Sequence, residues 1–462
     1  MPRNKHKPYD MTIWKRKQRT TAPRRGGKWI VAAVAGLAAL TVAAPAGAQT
    51  NGSNSPYSRY GFGLLGDRAQ GFNKGMAGLS YGMRNGTEVH SKNPASYSAI
   101  DSLSFLFDMG FSLQNANLEQ AGRKINAHNS SYDYLTMGFR ASKNLGVSIG
   151  MLPFSTIGYS LGQSFATKEN PEVTQTDTYS GDGGLHEVYV GMGWKPLKFA
   201  SVGFNVGYLW GDMTHTVLAS FSDNTIASRR RQYAADIRTY KADFGVQLEG
   251  NLGKNHSYVL GLTYGLGHGI NSDGHYYDQK VESGTAIGDT ITAHNPYGLP
   301  HTFGVGLTWS YKNSLRVGAD YNLQKWADVK SPMVVTGGAA GGQSYVGRKG
   351  GFSDMHKLTV GAEYVPDPDG LHWRDRVRYR AGFSYTTPYT RVNGQDGPRD
   401  FLVSLGVGLP IINYHNNRSL LNVSAQYERV KPKVAGMITE NYLRLCIGLS
   451  FNERWFMKWK VE

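Results

Sequence analysis

Residues 93–114 read NPASYSAIDSLSFLFDMGFSLQ, and the second half of this stretch decides the fold. From Leu103 to Leu113 the odd positions hold Leu103, Phe105, Phe107, Met109, Phe111 and Leu113. Between them lie Ser104, Leu106, Asp108, Gly110 and Ser112. Side chains of a strand alternate between its two faces, so this segment has one oily face and one mostly small or polar face. A second sheet would cover the oily face in a soluble sandwich. Lipid would cover it in an outer membrane.

The same alternation recurs to the end of the chain. Clear copies are Val202-Phe204-Val206-Tyr208-Trp210, Phe303-Val305-Leu307-Trp309, Leu358-Val360-Ala362-Tyr364 and Leu443-Leu445-Ile447-Leu449-Phe451. Together with 103–114, 132–140, 145–152 and 185–194, and similar runs at 244–248, 258–266, 315–323, 377–385, 401–409 and 421–427, they predict fourteen strands. Each is about ten residues, the length a tilted strand needs to cross a bilayer.

Connections alternate between short and long. Ser142-Lys143-Asn144 and Tyr311-Lys312-Asn313-Ser314 are short, whereas 115–131, 155–184, 211–240, 271–299 and 324–355 are long. Short periplasmic turns and long extracellular loops mark a bacterial outer-membrane barrel. An even strand number then puts both termini in the periplasm. Trp194, Trp210, Trp309 and Trp326 stand near strand ends, where interfacial aromatic girdles belong. The sequence thus predicts an all-β, transmembrane antiparallel barrel in the outer membrane of a diderm bacterium, spanning 103–462.

Composition agrees. Among 462 residues there are 58 Gly and 28 Tyr, only 18% are charged, and the mean hydropathy of -0.41 excludes a bundle of membrane helices. Residues 1–28 hold ten Lys or Arg against Asp10, followed by WIVAAVAGLAALTVAA and Ala46-Gly47-Ala48. That is a secretory leader over 1–48, with Gln49 the expected mature start. The leader supplies nine of the sixteen net positive charges. The basic balance is therefore largely a secretion signal and no argument for nucleic acid. Cys446 is the only cysteine, which excludes an intramolecular disulfide and a Cys-based zinc site.

Two enzyme-like patterns lack their context. Gly61-Phe62-Gly63-Leu64-Leu65-Gly66 matches G-x-G-x-x-G, but no βαβ unit surrounds it. Gly158-Tyr159-Ser160-Leu161-Gly162 matches G-x-S-x-G without the strand, sharp turn and helix of a nucleophile elbow. The histidines show no paired ligand spacing, so no enzyme, metal or cofactor is assigned.

The segment before the first strand, GMAGLSYGMRNGTEVHSKNPASYSAID at 75–101, resembles the FadL-type outer-membrane transporters of hydrophobic compounds. In that family an Asn-Pro-Ala motif, here Asn93, Pro94 and Ala95, closes a Gly-rich N-terminal plug ahead of a fourteen-strand barrel. The likeness extends through LGVSIGMLPFSTIGY at 145–159. It implies a plug over 49–102 and a side opening in the third strand near Pro153, Phe154 and Gly158. Proline cannot donate to a sheet ladder, so Pro153 marks either this irregularity or simply the end of the strand.

If the oily faces meet lipid, the inward set includes Asp108, Asp243, Glu249, Asp320, Glu363 and Glu428, with Arg140, Arg316, Arg378, Arg380 and Arg444. So mixed a lining suits a salt-bridge network fastening a plug better than an ion filter. Arg229-Arg230-Arg231, in a long connection, suits either lipopolysaccharide phosphates or solvent. The sequence reads as a passive channel for small hydrophobic molecules with lateral release near Pro153, surrounded by outer-membrane lipid and lipopolysaccharide. The rival is a non-transporting structural barrel with outer-membrane protein partners, a subunit of a secretion or assembly complex.

Overall fold

Phe111 and Leu113 are each 51% exposed, while Ser104, Leu106, Asp108, Gly110 and Ser112 are buried. The oily face of the first strand therefore points outward, away from the protein. The computed structural model describes residues 53–282, 285–336, 343–411, 419–434 and 436–454; the leader assigned to 1–48 lies outside them.

Fourteen antiparallel strands form one closed ring. They are β1 (Ser104–Gln120), β2 (Arg123–Ser142), β3 (Leu145–Ala166), β4 (Thr174–Leu197), β5 (Ala200–Phe221), β6 (Ser228–Leu252) and β7 (His256–Gly265). The ring continues with β8 (Thr302–Tyr311), β9 (Leu315–Gln324), β10 (Met355–Tyr364), β11 (Arg378–Thr386), β12 (Arg399–Ile411), β13 (Ser419–Lys431) and β14 (Thr439–Arg454). Each pairs with its neighbours in sequence, and β14 closes on β1, with Ser104 opposite Arg454 and Glu119 opposite Thr439. Closure removes the free edges that an open sheet would expose to lipid.

The wall is not of even height. Strands β7 to β11 have nine or ten residues, whereas β1 to β6 have 17 to 25. Much of what sequence patterning assigns to the long loops 115–131, 155–184 and 211–240 is therefore β-hairpin rising past the ring. Polar residues on both faces erased the alternation there, because neither face meets lipid. A further hairpin, Gly274–Glu282 with Thr285–Ala293, adds to this wall by pairing with the Ser228–Ala235 end of β6.

One seam of the ring is incomplete. Pairing between β2 and β3 ends at Leu135 opposite Met151, although both strands continue. Beyond that point β2 stays with β1 and β3 stays with β4, across a register shift between Pro153 and Ser155. Pro153 thus sits at a bulge and does not end its strand, which runs on to Ala166. Two residues of the N-terminal segment occupy part of the vacated edge: Leu64 and Leu65 pair with Thr156 and Ser155.

Residues 53–102 run down the inside of the ring. Ser55 donates to Glu440 at 2.8 Å and Tyr57 to the Ile438 carbonyl, at the end where the long hairpins lie. Ser104 and Arg454 lie at the opposite, short-turn end. The first described residues therefore lie at the end of the ring opposite the last residues of the C-terminal strand; both chain ends fall outside the described residues. Small wall residues make room for this descent. A Cβ on Gly193 would stand 2.5 Å from the Pro94 oxygen, and one on Gly203 2.5 Å from the Pro94 carbonyl carbon. At Gly261, Gly382 and Gly406 too, backbone of the segment lies directly on the wall.

Two larger apolar clusters fill the ring. One joins Phe62 to Ile157, Leu185, Trp326, Phe352 and Tyr389 near the long-hairpin end. The other joins Val89, Tyr97 and Ile100 to Leu106, Tyr134, Leu152 and Tyr189. Trp326 is fully buried in the first. It does not belong to an outer girdle, although its place at a strand end suggested one; Trp194 and Trp309 do face outward.

Candidate functional site

The interior is built from charges that meet across the segment and the wall. Arg380 lies between two carboxylates, 2.7 Å from Glu363 and 3.4 Å from Glu88, and all three side chains are almost wholly buried. Arg316 and Arg378 add contacts to Glu363 at 3.3 and 3.5 Å. Arg68 reaches Asp243 at 3.1 Å and Glu187 at 3.4 Å, with Lys241 paired to the same two acids. Arg84 meets Glu249 at 2.7 Å while donating to the Ala95 carbonyl, Ser98, Ser201 and Gln247; Lys195 also pairs with Glu249. Removing one partner of such a buried pair leaves an uncompensated charge, so these contacts hold the segment strongly in one place.

Of the lumen residues picked from sequence, Arg316, Glu363, Arg378 and Arg380 form one cluster, and Asp243 and Glu249 each receive a cation from the segment. Glu428 and Arg444 pair with each other on β13 and β14. Asp320 accepts the backbone N–H groups of Ser80 and Tyr81 at 2.6 and 2.9 Å. Asp108 accepts the Tyr134 hydroxyl at 2.8 Å, and that oxygen accepts the Gly71 N–H. The expected single network is thus several local anchors. Arg140 is outside them: it donates to the carbonyls of Ser142 and Lys143 in the β2–β3 turn. Sequence reasoning missed Arg68, Arg84, Glu88 and Lys74, which lie in a segment without periodicity. It also missed Lys241, because β6 begins well before the first recognisable alternation.

The Asn-Pro-Ala motif is a joint. The Asn93 side chain accepts the Ala95 N–H at 3.2 Å, capping the 3-10 helix Pro94–Ala99 with proline in its first turn. Its amide donates to the carbonyls of Tyr81 and Val246, tying two passes of the segment to β6. This motif positions backbone. It offers no reacting group.

Between segment and wall lies a cavity of about 440 Å³, bordered by Asp67, Lys92 and Lys357 and by Pro153, Phe154 and Trp326. Burial drives the Asp67 carboxyl up, but Lys74, Lys92 and Lys357 outweigh it and hold the group down at about 2. Burial, with help from Lys357, pushes Lys92 down to about 8 against the pull of Asp67. Ser160 lies in the middle of β3, opposite Ser180, and so lacks the turn of a nucleophile elbow. Arg229 and Arg230 are engaged by Asp278 and Gln279 of the added hairpin.

This ring, with its internal N-terminal segment, is the fold of FadL-type outer-membrane transporters. The CymD monoaromatic hydrocarbon channel is 14% identical and superposes with a TM-score of 0.55 over 86% of this chain and 100% of its own. The Ralstonia pickettii toluene transporter TbuX is 13% identical, with a TM-score of 0.57 over the same shares. The P. putida toluene transporter TodX is 14% identical, again with 0.57 over 86% and 100%. At such identities the likeness defines a class of architecture, an outer-membrane β-barrel. A search of curated proteins returns no match. The family model described as BamG matches residues 29–462, and the chain belongs to the BamG family.

Proposed function

We propose that this protein is a structural barrel: a plugged outer-membrane subunit of an assembly complex, with no transport of its own. The observation that carries this reading is the occupancy of the lumen by the chain itself. At the long-hairpin end, Phe62 packs tilted against Trp326 with ring centroids 5.7 Å apart, and Tyr389 packs against Trp326 at 4.7 Å. Below it, residues 49–102 act as a plug, whose described part is held by the buried pairs of Arg68, Arg84 and Glu88. A plug that shifts with each passing solute must break several of these, at about 3–5 kcal/mol each. The family name BamG adds its own hint of a role in assembly. In this reading the short turns and the end of β14 face the periplasm, and the tall wall of β1 to β6 rises outside the cell.

A second reading has one specific observation behind it. Pairing between β2 and β3 ends close to Pro153 and Phe154, and both residues border the internal cavity. A passive channel for small hydrophobic molecules would release them there.

Depletion separates the two. On the structural reading, depleted cells lose other outer-membrane proteins from the membrane and admit labelled toluene-like solutes no more slowly than wild type. Slower entry of those solutes with a normal outer-membrane protein content would overturn it in favour of the channel.

A further inference from the structure

Four successive short turns each present a lysine toward solvent: Lys143 between β2 and β3, Lys198 between β4 and β5, Lys254 between β6 and β7, and Lys312 between β8 and β9. None of these turns contains Asp or Glu. Among the described residues none of the four lysines is in an ion pair, in contrast to Lys195, which Glu249 neutralises. Neighbouring strands lie about 4.8 Å apart, so turns that join alternate pairs recur at roughly 10 Å along the rim. The result is an arc of cations along the turns that join eight of the fourteen strands.

Apolar side chains stand at the same level. Phe199, in the β4–β5 turn, and Leu252, the last residue of β6, are 58% and 69% exposed, and Trp194, Tyr258 and Trp309 face outward just above them. Lys312 folds back so that its ammonium lies 5.3 Å from the Tyr311 ring. Aromatics at the edge of a barrel's apolar band mark the headgroup level, and ammonium groups beside them lie where headgroup phosphates run. A soluble acidic partner would need no such belt of outward aromatic and aliphatic side chains. We infer that this rim is a binding surface for anionic phospholipid headgroups in the leaflet facing the short turns, with Lys143, Lys198, Lys254 and Lys312 as the phosphate contacts.

The inference takes the leaflet from the orientation proposed above, but its test uses the purified barrel and is independent of transport or assembly. Native mass spectrometry of the detergent-extracted full chain would compare retention of phosphatidylglycerol and phosphatidylethanolamine of matched acyl chains. The expected result is a roughly tenfold preference for phosphatidylglycerol, weakened by salt. It should fall to near parity in the Lys143→Gln, Lys198→Gln, Lys254→Gln, Lys312→Gln variant and by a smaller factor in Lys254→Gln alone. Removing charge at the other end of the ring, by Lys124→Gln, Lys168→Gln and Lys280→Gln, should leave it unchanged. Heat-modifiable gel migration checks that each variant is folded; should the quadruple variant not fold, Lys254→Gln and Lys312→Gln made singly decide. No preference in the wild type or an undiminished preference in the rim variants would each overturn the inference.

Discussion

Gly66 donates its backbone N–H to the Phe154 carbonyl at 2.8 Å, so the N-terminal segment supplies a ladder partner where β2 has left β3. Segment and wall are hydrogen-bonded to each other where the β2–β3 pairing ends. That relationship makes the interior's fixity testable from several sides.

Arg380 is the first target. Arg380→Met takes from Glu363 and Glu88 their most deeply buried cation and leaves them only the longer contacts to Arg316 and Arg378, so the barrel should lose up to about 3–5 kcal/mol. Arg238→Met, which removes an exposed partner of Asp236, should change stability far less. Denaturant titration in detergent, followed by heat-modifiable migration, compares the two; equal effects would mean that the internal cluster holds nothing.

The wall's glycines give a second test. Gly203→Leu puts a side chain where Pro94 now rests, and should release residues 53–102 to protease while the fourteen strands still close. Val206→Arg points instead at lipid and should cost about 2–4 kcal/mol near the midplane without freeing the segment. The same protease pattern in both variants would contradict the assigned faces.

Both registers were legible in the sequence, and for one reason: lipid demands apolar side chains at every second position for about ten residues. The fourteen strands, the short turns and the outward sets followed from that. The hairpins above the membrane did not, since water sets no such rule for Arg123–Ser131 or Gly162–Ala166. Of the interior, Glu363 and Arg380 were visible because they sit on patterned strands. Arg68, Arg84 and Glu88 were hidden in a segment shaped by the wall it lies on, not by its own periodicity. The Asn93-Pro94-Ala95 joint was recognisable only by likeness.

Acid supplies a third test. Burial holds the His90 imidazole down at about 4, with Glu88 and Glu363 opposing and Arg316 and Arg84 reinforcing the shift. The ring sits edge-on to Phe72 at 4.7 Å. A histidine whose folded pKa is depressed contributes full stability above its ordinary value near 6.5. That stability fades as pH falls from there toward 4, by on the order of 3 kcal/mol. The segment should therefore become protease-sensitive between pH 6.5 and 4 in the wild type and show a flatter profile in His90→Gln. Identical profiles would remove His90 from the account.

The most direct measurement locks the segment to the wall. Leu64 and Thr156 are Cα partners in an antiparallel pair, at a separation a disulfide can bridge, and the native Cys446 is buried. Leu64→Cys with Thr156→Cys, oxidised in cells, fixes the N-terminal segment across the seam beside Pro153. If the protein is a structural barrel with an immobile plug, the locked form should support wild-type levels of other outer-membrane proteins, and uptake of labelled apolar solutes should not change. Uptake that is present in the reduced form and lost on oxidation, with outer-membrane protein levels untouched, would contradict it.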